Sequence, residues 1–348
     1  MDYAIPMVKR PTIHDLANAA GVSVATVDRV LNRRLPVRED TALRVVAAAE
    51  EIGFHATGLL RQRVKEIPKR SFAFLLQKRD HEFYRNFAAA LQAATREATA
   101  VQGRAMVEFI DEIVPATIAA RIADAAQRAD AIAVVAVDHP LVNEAIAAAS
   151  RMGKPVVTLL SDVAAPERSA YIAADSRRSG RTAGWAIARL AHKPGKIGIL
   201  LGSHRYLSQE LAEVSFRSYM REHATQFHLL EPLVNLEDAR IAYEAVVDMI
   251  ASNEDLVGVY VAGGGAEGLI EALRDEKAGG RIVAVCNELT STTRSALIDG
   301  TLDLVLDTPI QEIARRAVDI MSRATAGEGW DMVQSIQLPA TLVVAESL

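Results

Sequence analysis

The sequence predicts an all-α helix-turn-helix headpiece followed by an α/β core of two doubly wound parallel-sheet lobes. Three observations carry that prediction. Residues 12–54 place apolar side chains at helical spacing around a glycine-led break. From Ser71 onward, short apolar runs alternate with Ala-rich helical stretches, the βαβ rhythm of a parallel sheet. Ten such runs are more than one small sheet holds, and 348 residues are too many for a single α/β unit of ordinary size.

In the headpiece, Thr12 caps a first helix, with Asp15 three residues on in a capping-box arrangement. Ile13, Leu16, Ala17 and Ala20 form its apolar stripe. Gly21 breaks it, because a tight inter-helix turn needs a residue free to take positive φ. Ser23 is the cap candidate for a second helix over Val24–Leu31, with Val27, Val30 and Leu31 inward. Asn32-Arg33-Arg34 and Pro36 end that helix. A third runs from about Asp40 to Ile52, with Leu43, Val46, Ala47 and Ile52 as its apolar positions, and Gly53 closes it. In this geometry the second helix enters the major groove and its N-terminal side chains reach base edges.

In the core, the strand candidates are Phe72–Gln77, Ala105–Ile110, Ala131–Val137, Val156–Leu160, Tyr171–Ala173, Ile197–Leu201, Leu229–Val234, Val257–Val261, Ile282–Cys286 and Leu302–Leu306. Stretches such as Phe87–Ala100 and Leu141–Met152 read as the helices between them. A last segment, Val333 to Ala345, reads as strand around Pro339.

Composition narrows the function classes. Half the residues are apolar, enough for a large core. The net charge of −5 is uneven: residues 1–70 hold 12 Lys and Arg against 8 Asp and Glu, and the remainder 27 against 36. A basic head on an acidic body suits a chain whose head alone touches phosphate. With Cys286 alone, no internal disulfide forms. The eight histidines follow no metal-ligand spacing, so no metal and no cofactor is expected. Neither a signal-peptide pattern nor a long apolar run appears, so the expectation is a cytoplasmic chain without a membrane partner.

The stretch Thr12-Ile13-His14-Asp15-Leu16-Ala17-Asn18-Ala19-Ala20-Gly21-Val22-Ser23-Val24-Ala25-Thr26-Val27-Asp28-Arg29-Val30-Leu31-Asn32 strongly resembles the headpiece of the LacI (lactose-repressor-like) family of transcription regulators. The resemblance implies that Val24, Ala25 and Arg29 read bases, and that Thr12, Ser23, Thr26 and Asn32 cap helices or hold phosphate. Arg29 can offer a bidentate fork to guanine, and Val24 or Ala25 can pack on a thymine methyl. Asp28 departs from the family's common Ser. It either pairs with a neighbouring Arg or accepts from cytosine N4, which points to an operator different from the common family sequence. The family's linker forms a hinge helix with a minor-groove Leu wedge. Here Arg63 takes that position, beside Val64 and downstream of Gly58, Leu59 and Leu60. Either the hinge is shifted or weakened, or the segment is a basic solvated linker.

The core pattern resembles the periplasmic sugar-binding fold (type I) of LacI-family cores, which the chain crosses between lobes three times. The resemblance implies a headpiece over 1–54, a linker over 55–71 and a core over 72–348. Crossings are expected near 174, 290 and 332. They give a first lobe of about 72–173 and 291–331 and a second of about 174–290 and 332–348. Ligands in such folds bind at the carboxyl ends of strands, between lobes. Polar residues just after strands are therefore the effector candidates: Asp80, Phe83 and Tyr84; Asp138 and His139; Asp175 and Arg178; His204 and Arg205; Asn287 and Glu288; and Asp307. Carboxylates and amides on adjacent hydroxyls, with aromatic faces over a ring, suit a sugar, polyol or nucleoside. The function implied is a non-enzymatic, sequence-specific regulator of double-stranded operator DNA, repressing by family habit and allosterically controlled by a small polyhydroxylated effector. The partner expected on two half-sites is a second copy, as a homodimer or a tetramer built on it.

The competing reading is a NAD(P)-type oxidoreductase or nucleotide sensor. Gly263-Gly264-Gly265-Ala266-Glu267-Gly268 matches G-x-G-x-x-G between a strand and a helix, and Glu288 lies 20 residues beyond Gly268. Against it, the motif sits late in the chain and no catalytic His or Lys constellation accompanies it. A transport solute-binding protein is the other alternative, opposed by the headpiece.

Overall fold

The computed structural model describes residues 10–32, 37, 39–57, 67–327 and 334–348. Two compact units divide the chain after Pro68.

The first unit holds α1 (Ile13–Ala19), α2 (Val24–Asn32) and α3 (Glu39–Glu51). Thr12 and Asp15 close a capping box at the start of α1, satisfying donors the helix itself leaves unpaired. Gly21 takes φ +62° in the turn, where a Cβ would be strained. Leu16, Ala17, Val27, Val30, Val45, Ala48, Ala49 and Phe54 make a small core. On α3 the buried face differs from the expected one: Leu43 is 48% exposed and Ala47 is exposed, while Val45, Ala48 and Ala49 turn inward. The Thr57 hydroxyl donates to the carbonyl of Ala49 at 3.1 Å and to that of Phe54, so the unit extends past the predicted end at residue 54.

The second unit begins with β1 (Lys69–Gln77), three residues before the predicted start of the core. There follow α4 (Glu82–Glu97), β2 (Gln102–Ile110), α5 (Pro115–Arg128), β3 (Ala131–Val134), α6 (Pro140–Arg151), β4 (Val156–Leu159) and β5 (Ala170–Ala174). Then come α7 (Ser176–Leu190), β6 (Lys196–Leu201), α8 (Leu207–His223), β7 (His228–Leu229), β8 (Leu233–Val234), α9 (Ala239–Ser252) and β9 (Leu256–Val261). The chain ends with α10 (Ala266–Asp275), β10 (Val283–Asn287), α11 (Ser291–Ile298), β11 (Leu304–Asp307), α12 (Ile310–Thr325), β12 (Gln334–Leu338) and β13 (Thr341–Val343).

Two sheets result. The first has the order β12-β5-β4-β3-β1-β2, and all its pairings are parallel. The second has the order β13-β11-β10-β9-β6-β7, with β8 also pairing β6; only β13 runs antiparallel. Central strands such as β3 and β4 are buried throughout, as continuous apolar runs covered on both faces must be. Helices α4 and α12 cover one face of the first sheet and α5 and α6 the other. In the second lobe, α9, α10 and α11 lie on one face and α7 and α8 on the other.

The chain leaves the first lobe after β5. The other two crossings differ from their expected places. Helix α11 buries Ala296 and Leu297 in the second lobe and β11 pairs with β10, so the return falls at Thr308-Pro309 rather than near 290. Strand β12 belongs to the first sheet and β13 to the second, so the last crossing is at Pro339-Ala340 rather than near 332. Pro339 has no N–H for a ladder and separates what reads in the sequence as one strand. Leu229–Val234 is likewise two two-residue strands, β7 and β8.

Candidate functional site

The first candidate surface is α2. Ser23 Oγ accepts from Thr26 N at 3.1 Å and lies 2.9 Å from Thr26 Oγ1, which fixes the start of the helix. Ala25, Arg29 and Asn32 lie at helical spacing and are exposed. Val24 is half-buried and packs against the headpiece core. The Asp28 carboxylate accepts from Asn32 Nδ2 at 2.6 Å, so its partner within the helix is an amide and not an arginine. Arg29 makes no hydrogen bond or ion pair among the described residues. Arg63, the remaining expected DNA contact, lies outside the described residues, with Gly58, Leu59, Leu60 and Val64.

The second candidate is the cleft between the two core lobes, about 670 Å³ of atom-free space that is partly open to solvent. From the first lobe, Phe83 and Tyr84 enter at the start of α4, their rings edge to face at 5.2 Å. From the second lobe come Tyr206 and Gln209 around the start of α8, Glu237 before α9, and Asn287 and Glu288 at the carboxyl end of β10. Gln209 organises this side. Its Oε1 accepts from Gly202 N at 2.7 Å, and its Nε2 donates to Glu237 Oε1 at 2.8 Å. Asn235 Oδ1 accepts from Glu237 N, and Asn235 Nδ2 donates to the Gly264 carbonyl.

Contacts across the cleft hold the lobes together. Lys78 Nζ donates to the carbonyls of Leu236 at 2.7 Å and Glu237 at 3.1 Å. Ser291 donates its N–H to Glu82 Oε1 at 2.9 Å and its hydroxyl to Glu82 Oε2. Asp138 N donates to Arg205 O at 2.9 Å, and Ser208 N to Ser161 Oγ at 3.3 Å. Backbone strain gathers here too. Lys78, Leu236, Glu237 and Glu288 all have positive φ, a conformation costing roughly 1–3 kcal/mol where it is held against preference.

Burial pushes the Tyr84 and Tyr206 hydroxyls well above the usual tyrosine range, and the Glu237 carboxylate adds to both shifts. Burial also lifts the Glu288 carboxyl well above the usual carboxylate range, with Glu237, Glu267 and Asp307 reinforcing it.

Of the effector residues predicted from sequence, Phe83, Tyr84, Asn287 and Glu288 come together in this cleft. The others lie outside its lining. The Asp138 carboxylate accepts from Asn143 Nδ2 and Ala164 N. His139 caps α6 through Nδ1, and Asp175 caps α7 while pairing with Arg178, whose side chain is 75% exposed. Asp80, His204 and Arg205 are exposed, and Asp307 accepts from Leu289 N. Sequence reading missed Tyr206, Gln209 and Glu237. Glu237 follows the carboxyl end of β8, so the strand-end rule applied there points to it.

The glycine run serves packing. A Cβ at Gly263 would overlap Gln209 and one at Gly264 would press on Glu237, so these glycines admit the cleft's own polar side chains. The Glu237 carboxylate beside the glycine run would repel a diphosphate, and the dinucleotide reading finds no support.

Such a headpiece and core define a class: a helix-turn-helix unit on a two-lobed, solute-binding type of core. Residues 72–329 match the periplasmic binding protein domain family, and residues 12–57 match the lacI family of bacterial regulatory proteins. The chain belongs, through its core, to the periplasmic binding protein domain family, and it carries at its head a helix-turn-helix domain of the lacI type. It is 38% identical over 96 residues to the maltose regulon regulatory protein MalI of Escherichia coli, covering 28% of this chain and 27% of MalI. It is 46% identical over 54 residues to the ribose operon repressor of Bacillus subtilis, covering 16% of this chain and 17% of that one. The aligned stretches thus span about a quarter or less of these two relatives. Among solved structures, an Agrobacterium vitis ABC-transporter solute-binding protein bound with α-D-tagatopyranose superposes with TM-score 0.72 at 20% identity. That match covers 80% of this chain and 95% of the other. GanP, a glucose-galactose binding protein from Geobacillus stearothermophilus, superposes with TM-score 0.72 at 19% identity, covering 82% and 99%. These likenesses establish the fold of the core. Among the described residues, no helix is long and apolar enough to cross a membrane.

Proposed function

We propose that the chain is a sequence-specific transcription regulator, a repressor working in the cytoplasm as a homodimer, whose operator affinity changes when a small polar ligand binds between the core lobes. The observation that carries the reading is the α2 face. A cap-locked helix presents Ala25 and Arg29 outward, and Arg29 has no partner among the described residues. An unpartnered guanidinium at the position of a recognition helix is what bidentate contact with guanine requires. The relatives named as regulators support it. The cleft supports the second half, because contacts made by both lobes to one ligand favour one closure. No catalytic role is assigned. Two headpieces on one operator multiply a contact too small alone.

Selection of bound sequences from a random duplex pool by the full chain tests the reading. The expected result is a near-palindromic site with a guanine in each half. Absence of any enriched sequence would overturn the proposal.

A further inference from the structure

Resting on the reading of the cleft as a ligand site, we propose that its ligand is cationic: an aminated sugar or alditol whose ammonium is held by Glu237 and Glu288. Glu237 is 4% exposed; its Oε1 accepts from Gln209, and its Oε2 has no hydrogen-bond partner among the described residues. Tyr206 is 2% exposed, and its hydroxyl likewise has none. Both residues line the cleft. Polar atoms buried without partners are costly, and a buried carboxylate most of all unless a charge meets it.

Among the described residues, no lysine, arginine or histidine lines the main cleft. A narrow side pocket adds His81, but also Glu82 and Glu267. Lys78 spends its ammonium on two backbone carbonyls and pairs with neither carboxylate. The buried Glu237 carboxylate thus meets no cationic side chain in the cleft lining, and its compensating charge is left to the ligand. A neutral sugar offers hydrogen bonds but leaves that charge unbalanced. An ammonium offers three donors and the charge together, and is drawn to aromatic faces such as those of Phe83, Tyr84 and Tyr206. The lifted pKa of Glu288 agrees: without a ligand the site favours a proton where an ammonium would stand.

The test uses the full chain and matched pairs of probes: glucosamine with glucose, galactosamine with galactose, mannosamine with mannose, and glucamine with glucitol. Thermal shift screens the panel and calorimetry measures what binds. At least one amine is expected to bind about tenfold or more tighter than its hydroxyl twin. Glu237→Gln, which can still accept from Gln209, and Glu288→Gln should each weaken that amine about tenfold or more while cooperative melting is retained. A hydroxyl twin that binds as tightly as its amine overturns the charge assignment and leaves the cleft reading intact. An amine whose affinity survives both substitutions overturns the assignment as well. A panel in which neither series binds counts against both.

Discussion

The polar side chains of the headpiece and those of the cleft are tied off over very different distances. In the headpiece, Thr12 meets Asp15, Ser23 meets Thr26 and Asp28 meets Asn32, every pair within four residues. In the cleft, Gln209 reaches Glu237 across 28 residues, Lys78 reaches Leu236 across 158, and Ser291 reaches Glu82 across 209. The headpiece therefore builds its surface as its helices form. The cleft exists only when two lobes, each with its own sheet, are brought together. A reader of DNA benefits from the first arrangement and a sensor from the second, because a site assembled from two bodies has a second state to move to.

Four substitutions sharpen that contrast. Leu16→Ala, in the headpiece core, should cost about 2–5 kcal/mol and abolish DNA binding. A melt should then show the core transition unchanged, and a shifted core transition would mean the two units are not separable. Arg29→Ala should leave melting unaltered but cost about 1–3 kcal/mol of operator affinity and relax one guanine position. Unchanged sequence preference would remove Arg29 from the reading face. Thr12→Ala removes a cap with both halves of its box present, and about 1 kcal/mol of headpiece stability should go with it. Hydrogen exchange in α1 reads that loss directly, and unchanged protection there would show the cap to be idle.

The smallest effect belongs to the cleft. The Ser291 hydroxyl, ahead of the other influences on it, holds the Glu82 carboxyl below its usual range. Closure is therefore favoured while Glu82 is ionised. That contribution is complete above the ordinary glutamate pKa of about 4.3 and is lost as pH falls through the lowered value. Because the contact is partly solvated it is worth about 1 kcal/mol or less. Melts of the core at pH 7 and pH 4 should separate less for Glu82→Gln than for the unaltered chain. Equal pH dependence would show that the bridge carries no weight.

The same contrast explains what was legible in the sequence. Thr12, Gly21 and Ser23 announce caps and a turn because their roles are set by neighbours three or four positions away. The strands of the core were legible for a similar reason, each being a short apolar run of its own. Lobe membership was not: nothing local to Ser291–Ile298 says which sheet it will cover, so two crossings fall away from their expected places. In the cleft, Asn287 and Glu288 were legible as strand-end residues. The same rule also points to Asp138, His139 and Asp175, which lie outside the cleft lining as a loop anchor and two helix caps, because a polar residue after a strand is as often a cap or an anchor. Tyr206 and Gln209 point inward only because α8 packs as it does, and no spacing in the sequence carries that information.

On the proposed function, a ligand in the cleft changes how the headpiece, built so differently, holds its operator. Titration of the selected operator with the full chain tests it, without ligand and with a saturating amount of the tightest-binding member of the paired panel. A change of roughly 5–150-fold in operator affinity is expected, the usual scale of such coupling. An operator affinity that stays the same at saturation would contradict it.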